Sequence, residues 1–438
     1  MSSMMQLIEE LWFLKRDLVS EGYDRALARL AAEAPMDIHE VPSGMKVWTW
    51  TVPQAWNCRV AYLETLDGER LIDAADHPLH VISYSLPFEG EVSRAELLRH
   101  LHVHPQLPEA IPYVFKVYQR DWGLCAPQTL RDALSAERYR VVIRTEEKPG
   151  ALKIGEIVVP GEREEYFVLA AHLDHPAMVN DDLSGVVVGL ETARRLLAGP
   201  KPYYSYRLLF LPETLGSIAY LSGHEQLIPG MLGGLFLEML GNDAPHALQT
   251  SFQPESNADA CLVAAIHGAE PGAYVGAYRT IIDNDERQFN APGVRVPMLS
   301  LSRVRDPHLP ASRFYPYREY HSSLDTPAIV SAERLEASVQ LVLELLSAFD
   351  RNRYIVNRFK GEIFASGHDL WVDYKADAAA HKLRFEIMDR CDGTRRPADI
   401  AHELGLSFQQ VWKLVALLLE KDLVSLSHSP QPTDPHLA

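Results

Sequence analysis

The segment YFVLAAHLDHPAMVNDDLSG, residues 166–185, decides how the rest of the chain is read. Its apolar run, Phe167 to Ala171, stops at His172, Asp174 and His175, and an acidic pair follows at Asp181 and Asp182. Apolar runs of this kind mark parallel strands covered on both faces, and such strands gather ligands at their carboxyl ends. Imidazole and carboxylate are the donors that suit zinc and related divalent ions. On these residues alone a metal site and an ordinary polar loop weigh equally, so the neighbouring segments have to separate them.

Outward from there, residues 150–356 alternate strand and helix. The apolar runs YRLLFL, GGLFLEML and VPMLSL are interleaved with the helical patterns LSGVVVGLETARRLL, SIAYLSGHEQL, ADACLVAAIHGA and AERLEASVQLVLELLSAF. This alternation predicts an α/β domain with a mainly parallel sheet sandwiched by helices. Three more polar clusters fall at predicted strand ends. Glu213 follows YRLLFL, Glu238 closes GGLFLEML, and His321 lies in REYHSSLDT between Arg318 and Asp325. In a doubly wound sheet these loops converge on one edge.

The flanks differ in texture. Residues 1–40 read as amphipathic helices packing on the α/β domain. Residues 41–149 carry short β-type runs (VWTWTV, RVAYLET, HVISYSL, YVFKVY, YRVVIRT) and predict an inserted, mainly β domain. Residues 357–428 offer three helical segments and VSLSHS, the spacing of a winged helix-turn-helix with VSLSHS as wing. Residues 429–438, rich in Pro and His, read as a disordered tail.

The 438 residues are 47% hydrophobic with a net charge of −17, a soluble globular composition that disfavours nucleic acid as a partner. Four scattered cysteines form no disulfide frame or thiolate metal site. With no signal-like or membrane-spanning apolar run, the chain is expected to be cytoplasmic and free of membrane.

The ordered set resembles the bacterial aminopeptidase and glutamate carboxypeptidase family of zinc exopeptidases. It comprises His172-Leu-Asp174, Asp181-Asp182-Leu-Ser184-Gly185, Glu213, Glu238, and His321 ahead of Ser-Ser-Leu-Asp-Thr. The resemblance implies metal ligation by His172, Asp181 and His321, orientation of His172 by Asp174, and Glu213 as the general base acting on metal-activated water. Two positions depart from the family pattern: Thr214 replaces the second Glu of a Glu-Glu pair, and Glu238 replaces a strand-end Asp. The implied cofactor is one firmly held zinc, with a second weak or absent. His175 is a further candidate ligand, and the choice between it and His172 stays open.

Longer segments are similar to a narrower bacterial group of aminopeptidase-like proteins, linked to polysaccharide biosynthesis, with an inserted β domain and a C-terminal winged helix. They are IPYVFKVYQRDWGLC (111–125), HPAMVNDDLSG (175–185), PETLGSIAYL (212–221), DNDERQFNAPGV (283–294) and YHSSLDT (320–326). That group usually carries Cys where Asp174 stands here.

Around this core, Asp285, Glu286, Arg287 and Arg318 are candidates for holding a substrate's ammonium or carboxylate, weighed equally against a surface loop. Tyr320 is a candidate for oxyanion stabilisation, with packing beside His321 the stronger alternative. His100, His102 and His104 read as solvated. The expected function is hydrolysis of an amide bond in a small peptide or aminoacyl conjugate. Two rivals are a regulator acting through the winged helix and a degenerate hydrolase that only binds. The presumed recognition helix offers Gln409, Gln410 and Lys413 but little positive charge, so self-association through the winged helix is preferred to nucleic-acid binding.

Overall fold

A computed structural model describes residues 2–305 and 316–433. Two helices open the chain, α1 (Ser3–Leu11) and α2 (Glu21–Ala31), capped by the hydroxyls of Ser2 and Ser20. They lead into strand β1 (Asp37–Pro42). The insertion follows as β2 (Lys46–Val47), β3 (Trp50–Thr51), β4 (Ala55–Glu64), β5 (Arg70–Asp73), β6 (Phe88–Ser93), α3 (Arg94–His100), β7 (Leu101–His102), β8 (Leu124–Cys125), α4 (Gln128–Ala133) and β9 (Arg138–Lys148). Its main sheet runs β5-β4-β9-β6, all antiparallel, over a core of its own that includes Trp56, Leu63, Tyr139 and Val141.

The central part comprises β10 (Ala151–Val159), β11 (Tyr166–His172), α5 (Leu183–Ala198), β12 (Ser205–Leu211), α6 (Leu215–Gly223), β13 (Met231–Glu238), β14 (His246–Gln249), α7 (Asn257–Ala269), β15 (Tyr274–Gly276), α8 (Glu286–Asn290), β16 (Met298–Arg303) and α9 (Ala332–Arg351). Its eight-stranded sheet has the order β1-β10-β12-β11-β13-β16-β14-β15. The four middle strands β12, β11, β13 and β16 are mutually parallel, and antiparallel strands flank them. Every residue of β11 is buried, as its apolar run predicts. One face of the sheet packs on α5, α7 and α9 and the other on α6 and α8. Gly185 lets α5 approach the sheet, since a Cβ there would lie 2.4 Å from the Leu237 carbonyl oxygen.

The chain ends with β17 (Tyr354–Asn357), α10 (Ala378–Met388), α11 (Pro397–Leu404), α12 (Phe408–Glu420) and β18 (Val424–Ser427). The three helices and VSLS strand occur where expected, but β18 pairs antiparallel with β17 rather than forming a free-standing wing. Helices α11 and α12 pack on α7, continuing the core of the central domain.

Several expectations need correction. Strand β1 and the unforeseen β10 belong to the central sheet, so the insertion lies between them. VWTWTV is a short hairpin, while HVISYSL and YVFKVY run as irregular chain joined by the isolated bridge Ser83–Phe115. Residues 429–433 are not loose: Gln431 and Thr433 donate their N–H groups to Gly393 and Asp392. The rest of the predicted tail, 434–438, lies outside the described residues. No helix among the described residues is long and apolar enough to cross a membrane.

Candidate metal centre

The carboxyl ends of β11, β12 and β13 deliver His172, Glu213 and Glu238 to one edge of the sheet, where the loop before α9 adds His321. Backbone strain is concentrated here. His175, Thr214, Met239 and His321 all have positive φ, at +85°, +60°, +56° and +52°. A β-branched threonine in that region costs on the order of 1–3 kcal/mol, and such residues cluster at functional sites. Arg16, fully buried between α1 and α2, ties the loop down. It donates to the carbonyls of Leu173 (2.9 Å), His175 (2.7 Å) and Met178 (2.9 Å), and to those of Leu11 and Trp12 on its own segment. Asp325 fixes the opposite end of the loop by accepting the N–H groups of Asn180 (2.8 Å) and Asp181 (3.1 Å).

The held residues converge on Asp181. Its Oδ1 lies 2.8 Å from His172 Nε2 and 3.4 Å from His175 Nδ1, and its Oδ2 lies 2.9 Å from His321 Nε2. His175 Nε2 reaches Glu213 Oε2 at 3.2 Å. Burial opposes charge on both His172 and His175, but the surrounding carboxylates outweigh it and raise both rings well above the ordinary histidine range. Burial likewise pushes Asp181 up, yet the three histidines bring it well below the usual carboxylate range. Glu238 is raised, first by burial and then by the fields of Asp181, Asp182 and Glu286, with His172 opposing.

Buried polar atoms without a hydrogen-bond partner collect in the same place: His172 Nδ1, His175 Nδ1, Asp181 Oδ2, His321 Nε2, Glu238 Oε2 and Asp285 Oδ2. Leaving one such atom unpaired costs about 1–3 kcal/mol, and native interiors keep few of them. His321 Nε2 and Asp181 Oδ2 are close without being aligned to bond one another. Imidazole nitrogens and carboxylate oxygens at these separations fit zinc. His172, His175 and Asp181 form one compact donor group, and Asp174, His175 and Glu213 another.

A cavity of about 450 Å³ opens beside Glu213. The insertion supplies much of its wall and is stitched to the His321 loop. Tyr113 donates its N–H to the His321 carbonyl (2.8 Å), and Ile111 exchanges bonds with Ser323. The Tyr113 ring then packs edge-on against both His175 (5.1 Å between centroids) and His321 (5.3 Å).

A family profile described as "Domain of unknown function (DUF4910)" matches residues 5–352. The chain belongs to the DUF4910 family. It is 31% identical over 427 residues to a Clostridium acetobutylicum protein named "Putative polysaccharide biosynthesis protein with aminopeptidase-like domain", covering 96% of this chain and 95% of that one. The crystal structure of a putative peptidase from Clostridium acetobutylicum superposes with a TM-score of 0.85 at 30% identity, covering 97% of this chain and 96% of the other. The zinc aminopeptidase BSAP from Bacillus subtilis superposes with a TM-score of 0.57 at 14% identity, over 78% of this chain and 93% of the other. The fold of this DUF4910 chain is therefore aminopeptidase-like.

Within that fold the expected residues take the following places. His172, His175, Asp181, Glu213 and His321 come together. No hydrogen bond joins Asp174 to the His172 ring; its Oδ1 accepts the Glu213 N–H (2.7 Å). The carboxylate near the second nitrogen of His172 is Asp285, whose Oδ2 lies 3.5 Å from Nδ1. Asp285 Oδ1 accepts from the Thr214 N–H (2.9 Å) and the Ser217 hydroxyl (2.5 Å). Glu238 is buried beside the cluster, bonded to the Asn284 amide and outside both compact donor groups. Glu286 is turned away from the cavity, accepting the Asn284 N–H, whereas Arg287 lines the cavity. Arg318 is half exposed and pairs with Glu109 of the insertion. Tyr320 stacks on the His321 ring with centroids 3.9 Å apart. His100 and His104 are not solvated: His100 stacks on Trp122 and His104 is buried.

Sequence reasoning passed over Asp285 as an orienting group, and Arg16 and Tyr113 altogether. The signal for Tyr113 was present in IPYVFKVY, which reads as strand by composition but serves as cavity wall.

Proposed function

We propose that this protein is a cytoplasmic, zinc-dependent hydrolase of the aminopeptidase type, cleaving an amide bond in a small peptide or aminoacyl conjugate. The observation that carries the reading is the set of unpaired, buried donors of His175, Asp181 and His321, with His172 Nε2 turned to Asp181, beside a cavity-lining Glu213. His172, Asp181 and His321 would hold the zinc, with His175 as a further donor. Bound there, zinc supplies Lewis acidity and lowers the pKa of water from about 15.7 toward about 7.

Glu213 lies where a general base is needed. Burial pushes its carboxyl up, but the His175 bond brings it down to about 2, so it is present as an acceptor. Its Oε2 takes a proton from the attacking water and returns it to the leaving amine. Asp174 steadies it from behind through the backbone.

The test is metal content per chain together with turnover of aminoacyl amides. The wild type is expected to bind at least one zinc, and His321→Ala to lose it. Glu213→Gln should keep the metal and lose about 10²–10⁴-fold in turnover. A protein that takes up no zinc on reconstitution overturns the reading.

A further inference from the structure

The hairpin VWTWTV is unused by the hydrolytic reading. Strands β2 and β3 pair Val47 with Trp50, which leaves Trp48 and Thr49 as a two-residue turn. Trp48 sits at φ +50°, a region that such turns normally give to Asn or Gly and that a bulky side chain enters only against strain. Val47 and Val52 anchor the hairpin in the core, whereas Trp48 and Trp50 stay 40% and 39% exposed. The Trp48 indole is nevertheless held in place, its N–H donating to Glu225 Oε1 at 2.6 Å. A strained turn that leaves its indoles this exposed contributes little to the fold, and strain of this kind gathers at functional sites.

Both indoles line a groove of about 630 Å³ whose remaining wall is largely apolar, with Ile218, Ile228, Pro292 and Val294. The groove adjoins the cavity beside Glu213 at Trp50 and Gln288, which line both. Its charged wall residue is Glu225, with no Lys or Arg among the described residues, so it offers nothing to a phosphate or a terminal carboxylate. It is also poor in main-chain partners. Pro229 and Pro292 bring no N–H, and the Thr51 carbonyl already accepts the Tyr118 hydroxyl (2.7 Å). What remains is a pair of aromatic side chains in an apolar lining, the surroundings in which another ring stacks.

We propose that this groove holds a neutral aromatic ring carried by the leaving amine, with Trp48 and Trp50 as specificity-determining residues. The inference rests on the hydrolase reading for the direction of the substrate. An aminopeptidase-type cleavage leaves a single acyl unit on one side of the bond, and the cavity beside Glu213 contains it. Whatever extends into the adjoining groove then belongs to the leaving amine. The substrate class is an aminoacyl unit joined to an aromatic residue whose own carboxyl is blocked or extended.

Calorimetric binding to zinc-loaded protein tests this with three neutral probes: N-acetylglycyl-tryptophanamide, N-acetylglycyl-norleucinamide and N-acetylglycyl-alaninamide. The aromatic probe is expected to bind the wild type about tenfold or more tighter than the other two. Trp50→Ala should abolish that preference with zinc content unchanged. Trp48→Gly relieves the strained φ, so it should melt close to the wild type yet lose most of the preference, a combination that a merely structural tryptophan does not give. A norleucine probe that binds as tightly as the aromatic one makes the groove a site for alkyl chains and overturns the proposal. Equal affinities for all three probes, or a preference that survives Trp50→Ala, overturn it as well. Failure of the hydrolase reading looks different: a tryptophan-dependent preference in a protein that cleaves neither alanyl-tryptophanamide nor alanyl-alaninamide.

Discussion

At the scale of single residues, Asp285 rather than Asp174 has its carboxylate beside the second nitrogen of His172. The His-x-Asp pattern pairs Asp174 with His172 because i and i+2 share a face while a chain stays extended, but β11 ends at His172 and that alternation does not carry on to Asp174. Asp174 accordingly meets the Glu213 backbone, while Asp285, more than a hundred residues further on, reaches His172. A carboxylate behind a ligating imidazole fixes its orientation, and losing it costs typically 10–100-fold in metal affinity. Asp285→Asn should therefore weaken zinc by about that factor in a chelator competition titration, whereas Asp174→Asn should change affinity by only a few-fold and act mainly on turnover. The reverse ranking would restore the role read from the sequence. His172, Asp181, Glu213 and His321 were legible because each follows a strongly apolar strand or a distinctive loop motif. Asp285 was not, because its part is set by where a long connection folds back.

At the scale of elements, the site depends on two pieces outside the sheet. The N-terminal segment contributes Arg16, whose five carbonyl partners include three on the loop carrying His175. Arg16→Met keeps much of the volume and strands those carbonyls, so unfolding should become easier by about 3 kcal/mol or more, with zinc lost in parallel. Thermal melting with metal analysis checks both; a stable variant that has lost only zinc would make Arg16 a local clamp rather than a keystone. The insertion contributes Tyr113, wedged against His175 and His321. Tyr113→Phe preserves the packing and removes the hydroxyl that lies in the field of Asp174, Asp17 and Glu213. If that hydroxyl assists the reaction, kcat falls about tenfold or more with zinc content unchanged; unaltered kcat would leave Tyr113 a packing residue. The parallel strands were readable from their apolar runs. The peripheral strands were not, since β1 is a largely exposed edge and β14 and β15 have only four and three residues.

At the scale of the whole molecule, helical periodicity marked the C-terminal helices but could not say what their apolar faces cover. Those of α11 and α12 cover α7, and Gln409, a candidate for reading a DNA groove, donates to the Ala265 carbonyl of that helix. The same interior holds an excess of buried acid, and this makes stability depend on pH and metal together. Burial pushes Asp17 and Asp174 up to about 6, and Glu286 and Asp325 up to about 7. A group whose folded pKa is raised favours the fold while protonated. Its contribution is full below the unfolded value near 4 and is lost as pH rises through 6–7. Metal-free protein should therefore lose stability from these groups between about pH 4 and pH 7. Bound zinc acts in the opposite sense, because its charge offsets the ionised acids around it and because protons compete with it for His172 and His175. The rise in Tm on adding zinc to chelator-treated protein is thus expected to be larger at pH 8 than at pH 5.5. Melting curves at the two pH values decide the matter, and an equal or smaller rise at pH 8 would mean that these acids do not share the metal's field.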